Sequence, residues 1–175
     1  MTKQLGWYID LRKCVGCHSC TVSCKAENNT PPGIAWRRVI TQTDGLYPKV
    51  TAQFVSMACF HCEHPACLAA CPVEGAIVKR EEDGIVLIDQ ELCVGCRRCE
   101  WACPYGAPQL NPETKKVEKC TFCVHRIEAG LHPACVTTCI GDALHHGDMA
   151  QITGERQIEE FANPDLTNPS VRFRK

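Results

Sequence analysis

The chain has 175 residues, with 19 basic and 20 acidic side chains and a formal net charge of −1. This balance argues against a nucleic-acid-binding protein, because such proteins carry a clear basic excess. Sixteen cysteines, nearly one residue in ten, indicate that thiol chemistry dominates the structure. No segment approaches the roughly 18 apolar residues of a membrane span, and residues 1–13 lack the pattern of a signal peptide.

Four motifs account for all sixteen cysteines. They are Cys14-x2-Cys17-x2-Cys20-x3-Cys24, Cys59-x2-Cys62-x4-Cys67-x3-Cys71-Pro72, Cys93-x2-Cys96-x2-Cys99-x3-Cys103-Pro104 and Cys120-x2-Cys123-x11-Cys135-x3-Cys139. The third motif has the spacing by which bacterial ferredoxins hold [4Fe-4S] clusters, where three cysteines ligate one cluster and the fourth ligates a second. The motifs therefore predict four [4Fe-4S] clusters with iron bound through all sixteen thiolates.

Two other kinds of cysteine-rich protein fit the spacing poorly. Disulfide-stapled secreted domains are usually shorter and rarely carry such triplets. Zinc ribbons pair two short knuckles and lack the third cysteine six residues after the first. His61 and His64 lie within the second motif, but its four sulfur positions are already filled, so we expect them to pack or to form hydrogen bonds near a cluster.

Short strands are predicted between the motifs. Residues 7–10 precede the first motif, and residues 76–79 and 85–89 flank a hairpin signal, Glu82-Asp83-Gly84. Residues 25–58 contain no cysteine and read as a surface insertion with a hairpin, strands 36–40 and 52–56, or alternatively as a docking surface for another subunit. Residues 124–134 favour a helical turn. The polar residues 151–175 predict a C-terminal tail that straps a surface or frays.

An internal repeat relates the first and third motifs. The segment Ile9-Asp10-x3-Cys14-Val15-Gly16-Cys17 recurs as Ile88-Asp89-x3-Cys93-Val94-Gly95-Cys96. We therefore expect an α+β fold of two fused bacterial-ferredoxin-like halves packed around four clusters. Spacing alone leaves the pairing open: motif one can pair with two and three with four, or the motifs can be nested.

A cluster closed by four cysteines has no open coordination site, so the motifs predict a carrier of single electrons that has no catalytic activity on its own. No nucleotide-binding glycine loop follows a predicted strand. Arg97, Arg98 and Lys119 lie close to the motifs, where a cation would favour the reduced cluster, although the alternative is a role in surface solubility.

The four spacings, together with Cys120-Thr121-Phe122-Cys123 and Pro133-Ala134-Cys135-Val136, resemble the iron–sulfur subunits of respiratory molybdenum enzymes, such as polysulfide/thiosulfate and dimethyl sulfoxide reductases. The resemblance covers about residues 5–149. Lys25 and Ile140 depart from it, because proline is expected there, and the C-terminal tail is short.

The resemblance implies a nested pairing in four sets of ligands. Set A is Cys14, Cys17, Cys20 and Cys139; set B is Cys24, Cys120, Cys123 and Cys135; set C is Cys59, Cys62, Cys67 and Cys103; set D is Cys71, Cys93, Cys96 and Cys99. The corresponding domain 1–150 contains an inner pair in residues 59–110, an outer pair in residues 1–24 with 111–149, and the insertion 25–58. Residues 151–175 follow as the tail.

The resemblance also implies partners. Set A would face a catalytic subunit with a molybdenum or tungsten bis-pterin site, and set D would face a membrane anchor and its quinones. We expect membrane association through these partners, on the cytoplasmic or the periplasmic side. The alternative is a soluble cytoplasmic polyferredoxin that links redox enzymes, such as a tungsten aldehyde oxidoreductase or a hydrogenase.

Overall fold

The computed structural model describes residues 3–158 and 161–175. Short helices and strands connect long stretches of turn. The strands are β1 (Leu5–Asp10), β2 (Arg38–Asp44), β3 (Thr51–Met57), β4 (Ile77–Lys79), β5 (Val86–Ile88), β6 (Gln109–Leu110), β7 (Val117–Glu118), β8 (Leu144–Asp148) and β9 (Val171–Arg174). The helices are α1 (Ser19–Asn28), α2 (Ala66–Ala69), α3 (Arg98–Ala102), α4 (Val124–Glu128) and α5 (Ala134–Thr137), with a 3-10 turn at Pro164–Leu166. This mixed content agrees with the α+β class expected of a [4Fe-4S] domain.

β1 is the middle strand of a three-stranded sheet in the order β8-β1-β9. β8 runs antiparallel to β1, with Leu5 opposite Asp148, whereas β9 runs parallel to it, with Trp7 opposite Val171. Trp7 and Ile9 on β1 are fully buried. This sheet therefore forms one wall of the main core.

Outside this sheet, the described residues form three separate hairpins, β2-β3, β4-β5 and β6-β7. The predicted strands before the first motif, in the insertion and around Asp83-Gly84 are confirmed. The helical turn predicted in residues 124–134 is confirmed as α4. α1 packs against α5, and α2 packs against α3.

The two members of the sequence repeat have the same backbone geometry. Gly16 and Gly95 have φ angles of 68° and 69°. His18 and Arg97, which precede α1 and α3, have φ angles of 61° and 63°. The similarity of the two segments therefore extends from their residues to their backbone conformation.

The C-terminal segment differs from the expected polar strap. Val171 and Phe173 are buried in the core, and β9 extends the central sheet. The sequence does not indicate that β9 joins the sheet, because the strand has only four residues and arginine alternates with the two buried side chains.

Candidate iron–sulfur centres

All sixteen cysteines are free thiols. Set A lines one cavity: Cys14, Cys17 and Cys20 of the first motif meet Cys139 of the fourth, and Val39 and Ser56 of the β2-β3 hairpin close it. Within this cavity the Ala143 backbone N–H donates to Cys139 Sγ at 3.3 Å. Ser56 Oγ lies 3.3 Å from Cys20 Sγ.

Set B lies deeper. Its four cysteines are all buried. Burial raises the pKa of Cys24 to about 12, and neighbouring Cys135 and Cys123 contribute to the shift. Burial raises the pKa of Cys120 as well, and Cys24 adds to it. These electrostatic interactions indicate that set B also gathers in one place, although its members come from α1, α5 and the loop between β7 and α4.

Set C lines a second cavity, in which Cys59, Cys62 and Cys67 of the second motif meet Cys103 of the third. The His61 backbone N–H donates to Cys59 Sγ at 3.4 Å. Burial raises the pKa of Cys62 and of Cys67 to about 12.

Set D lines a third cavity, in which Cys93, Cys96 and Cys99 of the third motif meet Cys71 of the second. The Val117 backbone N–H donates to Cys93 Sγ at 3.4 Å. Burial raises the pKa of Cys99 to about 11, and Cys93 and Cys71 add to the shift.

These sets fit a cluster better than a single ion. A zinc site needs four sulfurs about 2.3 Å from one point, yet residues 3–158 and 161–175 contain no group of three or more potential ligands close enough to hold one metal ion. Thiols that line a shared cavity, with backbone N–H groups directed at the sulfurs, suit a larger cluster, whose sulfurs accept such hydrogen bonds.

The four sets follow one another through the molecule. α1 carries Cys20 of set A and Cys24 of set B one helical turn apart. Cys120 of set B lies close enough to Cys59 of set C for their charges to interact. Cys67 and Cys71, on and just after α2, are members of sets C and D. Set A therefore adjoins set B, set B adjoins set C, and set C adjoins set D.

Exposure differs along this order. Cys17 in set A and Cys96 in set D are exposed, whereas every cysteine of set B is buried. Exposed apolar residues accompany both ends, Val15 and Ile140 beside set A, and Val94 and Trp101 beside set D.

His61 is fully buried and its ring packs edge-on against Phe122. Its Nδ1 accepts a hydrogen bond from the Val86 backbone N–H at 3.0 Å. Burial lowers the pKa of His61 well below its usual value. The neutral ring therefore joins the second motif to β5, which agrees with the packing role expected from the sequence.

The cations predicted to affect the clusters lie in different environments. Arg97 and Arg98 are exposed, and Arg97 pairs with Glu100 at 2.8 Å. Lys119 is buried, lines the cavity of set C and donates to the carbonyl oxygens of Val86 and Cys120.

Sequence reasoning missed Arg37. It lies in the insertion, which we expected to be a surface excursion, yet its side chain is fully buried next to Trp7. No motif marks it, because its burial depends on how the β2-β3 hairpin folds over the first motif.

No helix in the part of the chain that the structure describes combines the length and the apolar character that a membrane crossing requires.

The comparisons with known proteins agree with this geometry. Residues 50–149 match the family model described as a 4Fe-4S dicluster domain. Several similar proteins are the B subunits of reductases. That of tetrathionate reductase from Salmonella typhimurium is 50% identical over 81% of this chain and 56% of its own length. That of selenate reductase from Mesobacillus selenatarsenatis is 43% identical over 94% of this chain and 70% of its own length.

The corresponding polypeptide of the anaerobic dimethyl sulfoxide reductase of Escherichia coli is 39% identical over 87% of this chain and 77% of its own length. The chain thus spans little more than half of the tetrathionate reductase relative and over two thirds of the other two. With sixteen cysteines that fit four [4Fe-4S] clusters, the protein belongs to the family of iron–sulfur electron-transfer B subunits of molybdenum-enzyme reductases.

Proposed function

We propose that this chain carries single electrons along four [4Fe-4S] clusters, held in order by sets A, B, C and D, between a bis-pterin catalytic subunit and a membrane quinone-reactive subunit. A bound [4Fe-4S] cluster supplies reversible one-electron exchange. The observation that carries the proposal is that each cysteine set adjoins the next, and that sets A and D each have an exposed cysteine.

The chain's own residues hold and insulate the clusters. Sixteen thiolates complete the coordination, so that no substrate can bind to iron. Backbone N–H groups of Ala143, His61 and Val117 donate to ligand sulfurs and thereby stabilise negative charge there. The burial of set B excludes water from the middle of the path.

The two ends suit protein partners. Exposed apolar side chains around a redox centre provide a surface that a partner can cover closely. By the family resemblance, the set A end with Val15 and Ile140 faces the catalytic subunit. The set D end with Val94 and Trp101 then faces the membrane subunit, so that the chain is held at the membrane by its partners, on one side or the other.

The proposal includes two ferredoxin-like halves, an outer pair of clusters in residues 1–24 and 111–149 and an inner pair in residues 59–110. The matching φ angles of Gly16 and Gly95 support this interpretation, as does the packing of α1 on α5 and of α2 on α3. Residues 25–58 are then an insertion in the outer half.

The first experiment measures metal content and ligand pairing in the anaerobically purified protein. Four clusters predict about sixteen irons with equal acid-labile sulfide, whereas a colourless protein with zinc would contradict the proposal. Cys17→Ala and Cys139→Ala should each abolish the same electron paramagnetic resonance (EPR) signal, and the double variant should lose no second signal.

The control for this pairing is Cys71→Ala. In nested pairing it removes the signal that Cys96→Ala removes. If Cys71→Ala instead removed the signal lost in Cys17→Ala, motif one would pair with motif two and the proposed sets would be wrong.

Partner identity is tested by purification from the native source. Co-purification of a large pterin-binding polypeptide and of a multispan membrane polypeptide is expected. Isolation of the protein with a soluble hydrogenase or aldehyde oxidoreductase, and with neither expected partner, would favour the polyferredoxin alternative.

A further inference from the structure

Arg37 carries a buried positive charge that no carboxylate among the described residues balances. The side chain is fully buried, and in the described part of the chain no carboxylate lies within ion-pair distance of it. Burying an unpaired charge is strongly unfavourable, so a stable structure needs a negative group beside it.

The hydrogen-bonding groups of Arg37 are only partly used. Nη1 donates to Ser56 Oγ at 3.0 Å and to the Ser56 carbonyl oxygen at 3.4 Å. Nε and Nη2 are buried and make no hydrogen bond of normal geometry with the described residues, although the Arg37 side chain lies close enough to Cys135 to lower the pKa of that thiol as a donor. These two donors are therefore available to the sulfur atoms of set B.

The ring of Trp7 packs against one face of the Arg37 guanidinium group. The Arg37 carbon Cζ lies 4.3 Å from the centre of this ring, a cation–π contact that favours the charge. Such a contact involves the flat face and leaves the in-plane donors Nε and Nη2 unsatisfied.

Cysteines of two sets surround Arg37. Burial alone would lower its pKa, but Cys135, Cys120, Cys20 and Cys24 raise it, and the net shift is upward. Cys20 is a member of set A and the other three are members of set B. Arg37 therefore lies where the two outer centres adjoin.

Ser56 extends the influence of Arg37 to set A. Its hydroxyl oxygen accepts from Arg37, so its proton is free to donate to Cys20 Sγ, 3.3 Å away. A ligand thiolate can only accept in such a pair. The result is a series of hydrogen bonds from Arg37 through Ser56 to a set A ligand.

We propose that Arg37 is a positioning residue that acts as a counter-charge shared by sets A and B, reaching set A through Ser56 and set B through Nε and Nη2. The inference rests on the proposed function, because it needs clusters in both sets. A fixed cation stabilises a centre more after that centre gains an electron, so Arg37 raises the reduction potentials of both outer centres.

The test is an EPR-monitored redox titration of the full-length, cluster-loaded protein, with signals assigned by the single-cysteine variants. Arg37→Met should lower the potentials of both outer centres, with at least about a tenfold fall in the reduced-to-oxidised ratio at a fixed potential, or about 59 mV. Arg37→Lys retains the charge and should restore most of the shift. Ser56→Ala should lower the set A potential and leave set B unchanged.

The matched control is Arg12→Met. Arg12 lies two residues before Cys14, but its side chain is 50% exposed and pairs with Asp10 at 3.0 Å. Solvent and Asp10 screen its charge, so removing it should leave all four potentials unchanged.

Four intact signals with potentials in Arg37→Met equal to those of the control would overturn the inference and leave the proposed function standing. Fewer than four clusters in the unmodified protein would overturn both. If Arg37→Met fails to assemble its clusters, Ser56→Ala provides the test. An unchanged set A potential in Ser56→Ala would refute the series of hydrogen bonds from Arg37 through Ser56 to set A.

Discussion

At the scale of single residues, Gly95 explains why a glycine stands between the first two cysteines of the third motif. Its φ angle of 69° lies in the left-handed region, and an added Cβ would lie 2.1 Å from the Lys115 carbonyl oxygen. The sequence predicts the unusual conformation. The close approach to Lys115 is a tertiary contact and follows from the β6-β7 hairpin.

This contact predicts the effect of Gly95→Ala. Left-handed strain costs about 1 kcal/mol, and the clash with a backbone oxygen adds to it, so the variant should lose iron from set D and should have a lower melting temperature. Iron analysis and thermal unfolding monitored by near-UV circular dichroism (CD) measure both effects.

Gly130→Ala is the matched control, because Gly130 has a φ angle of 73° and no atom within 4 Å of an added Cβ. Gly130→Ala should lower the melting temperature only through the left-handed strain and should retain the iron of all four clusters. Equal losses in the two variants would mean that the clash at Gly95 has no consequence.

The sequence predicts only part of the environment of the cations that lie near the clusters. Lys119 precedes a cysteine and is buried, in agreement with a tuning role, but that role remains a prediction. Arg97 and Arg98 adjoin a cysteine too, yet both are exposed. Proximity in sequence does not determine burial, and burial decides how strongly a charge acts.

At the scale of secondary structure, α1 is longer than the helices of the other three motifs. α5 ends at Thr137 although Ile140 and not proline follows Cys139, so the residue after the fourth cysteine does not by itself set the end of the helix. Pro72 and Pro104 follow the second and third motifs, where α2 and α3 have four and five residues. Lys25 takes this place in the first motif, and α1 continues to Asn28. The Lys25 ammonium group then donates to the Pro31 carbonyl oxygen at 2.9 Å. Lys25, which stands where the family pattern has proline, therefore stabilises the loop that leads to Arg37.

β9 predicts a stability effect far from any cysteine. Phe173 is 1% exposed and contacts the rings of Phe60 and Phe161. Phe173→Ala should destabilise the protein by about 3–5 kcal/mol, since it removes a large buried side chain and leaves a cavity. Chemical denaturation of the cluster-loaded protein measures the change.

Arg172→Ala in the same strand is the control, because Arg172 is only partly buried and makes a local hydrogen bond. Arg172→Ala should lower the free energy of unfolding much less than Phe173→Ala does. If Phe173→Ala left the free energy of unfolding unchanged, residues 151–175 would act as the surface strap that the sequence suggested.

At the scale of the whole molecule, the cysteines are part of the interior. Cys20, Cys24, Cys59, Cys120 and Cys135 lie in the main core beside Trp7 and Phe122. The bound clusters therefore fill space that hydrophobic side chains fill in other proteins.

Iron removal should consequently collapse the tertiary structure. Chelation under anaerobic conditions is expected to abolish the near-UV CD signal and to expose apolar surface to a fluorescent dye. Because iron must displace the proton of each ligand thiol, recovery on adding back iron and sulfide should improve as pH rises. Native-like near-UV CD in the iron-free protein would contradict this expectation.

The sequence predicts the strands beside the motifs because alternation and turn residues are local signals. The motif spacings also predict the number of clusters. Neither predicts which motifs pair, since that depends on the path of the backbone between Cys24 and Cys120, nor the burial of Arg37. Both depend on contacts between residues far apart in the sequence.

The position of β1 between β8 and β9 has a consequence for biosynthesis. β1 is synthesised before the first motif, but its partners β8 and β9 follow the fourth motif, and the proposed set A also needs Cys139. Sets C and D come entirely from residues 59–103 and are complete much earlier. Cluster insertion during translation should therefore begin at the inner centres, and the outer ones can close only after Cys135 and Cys139 have been made.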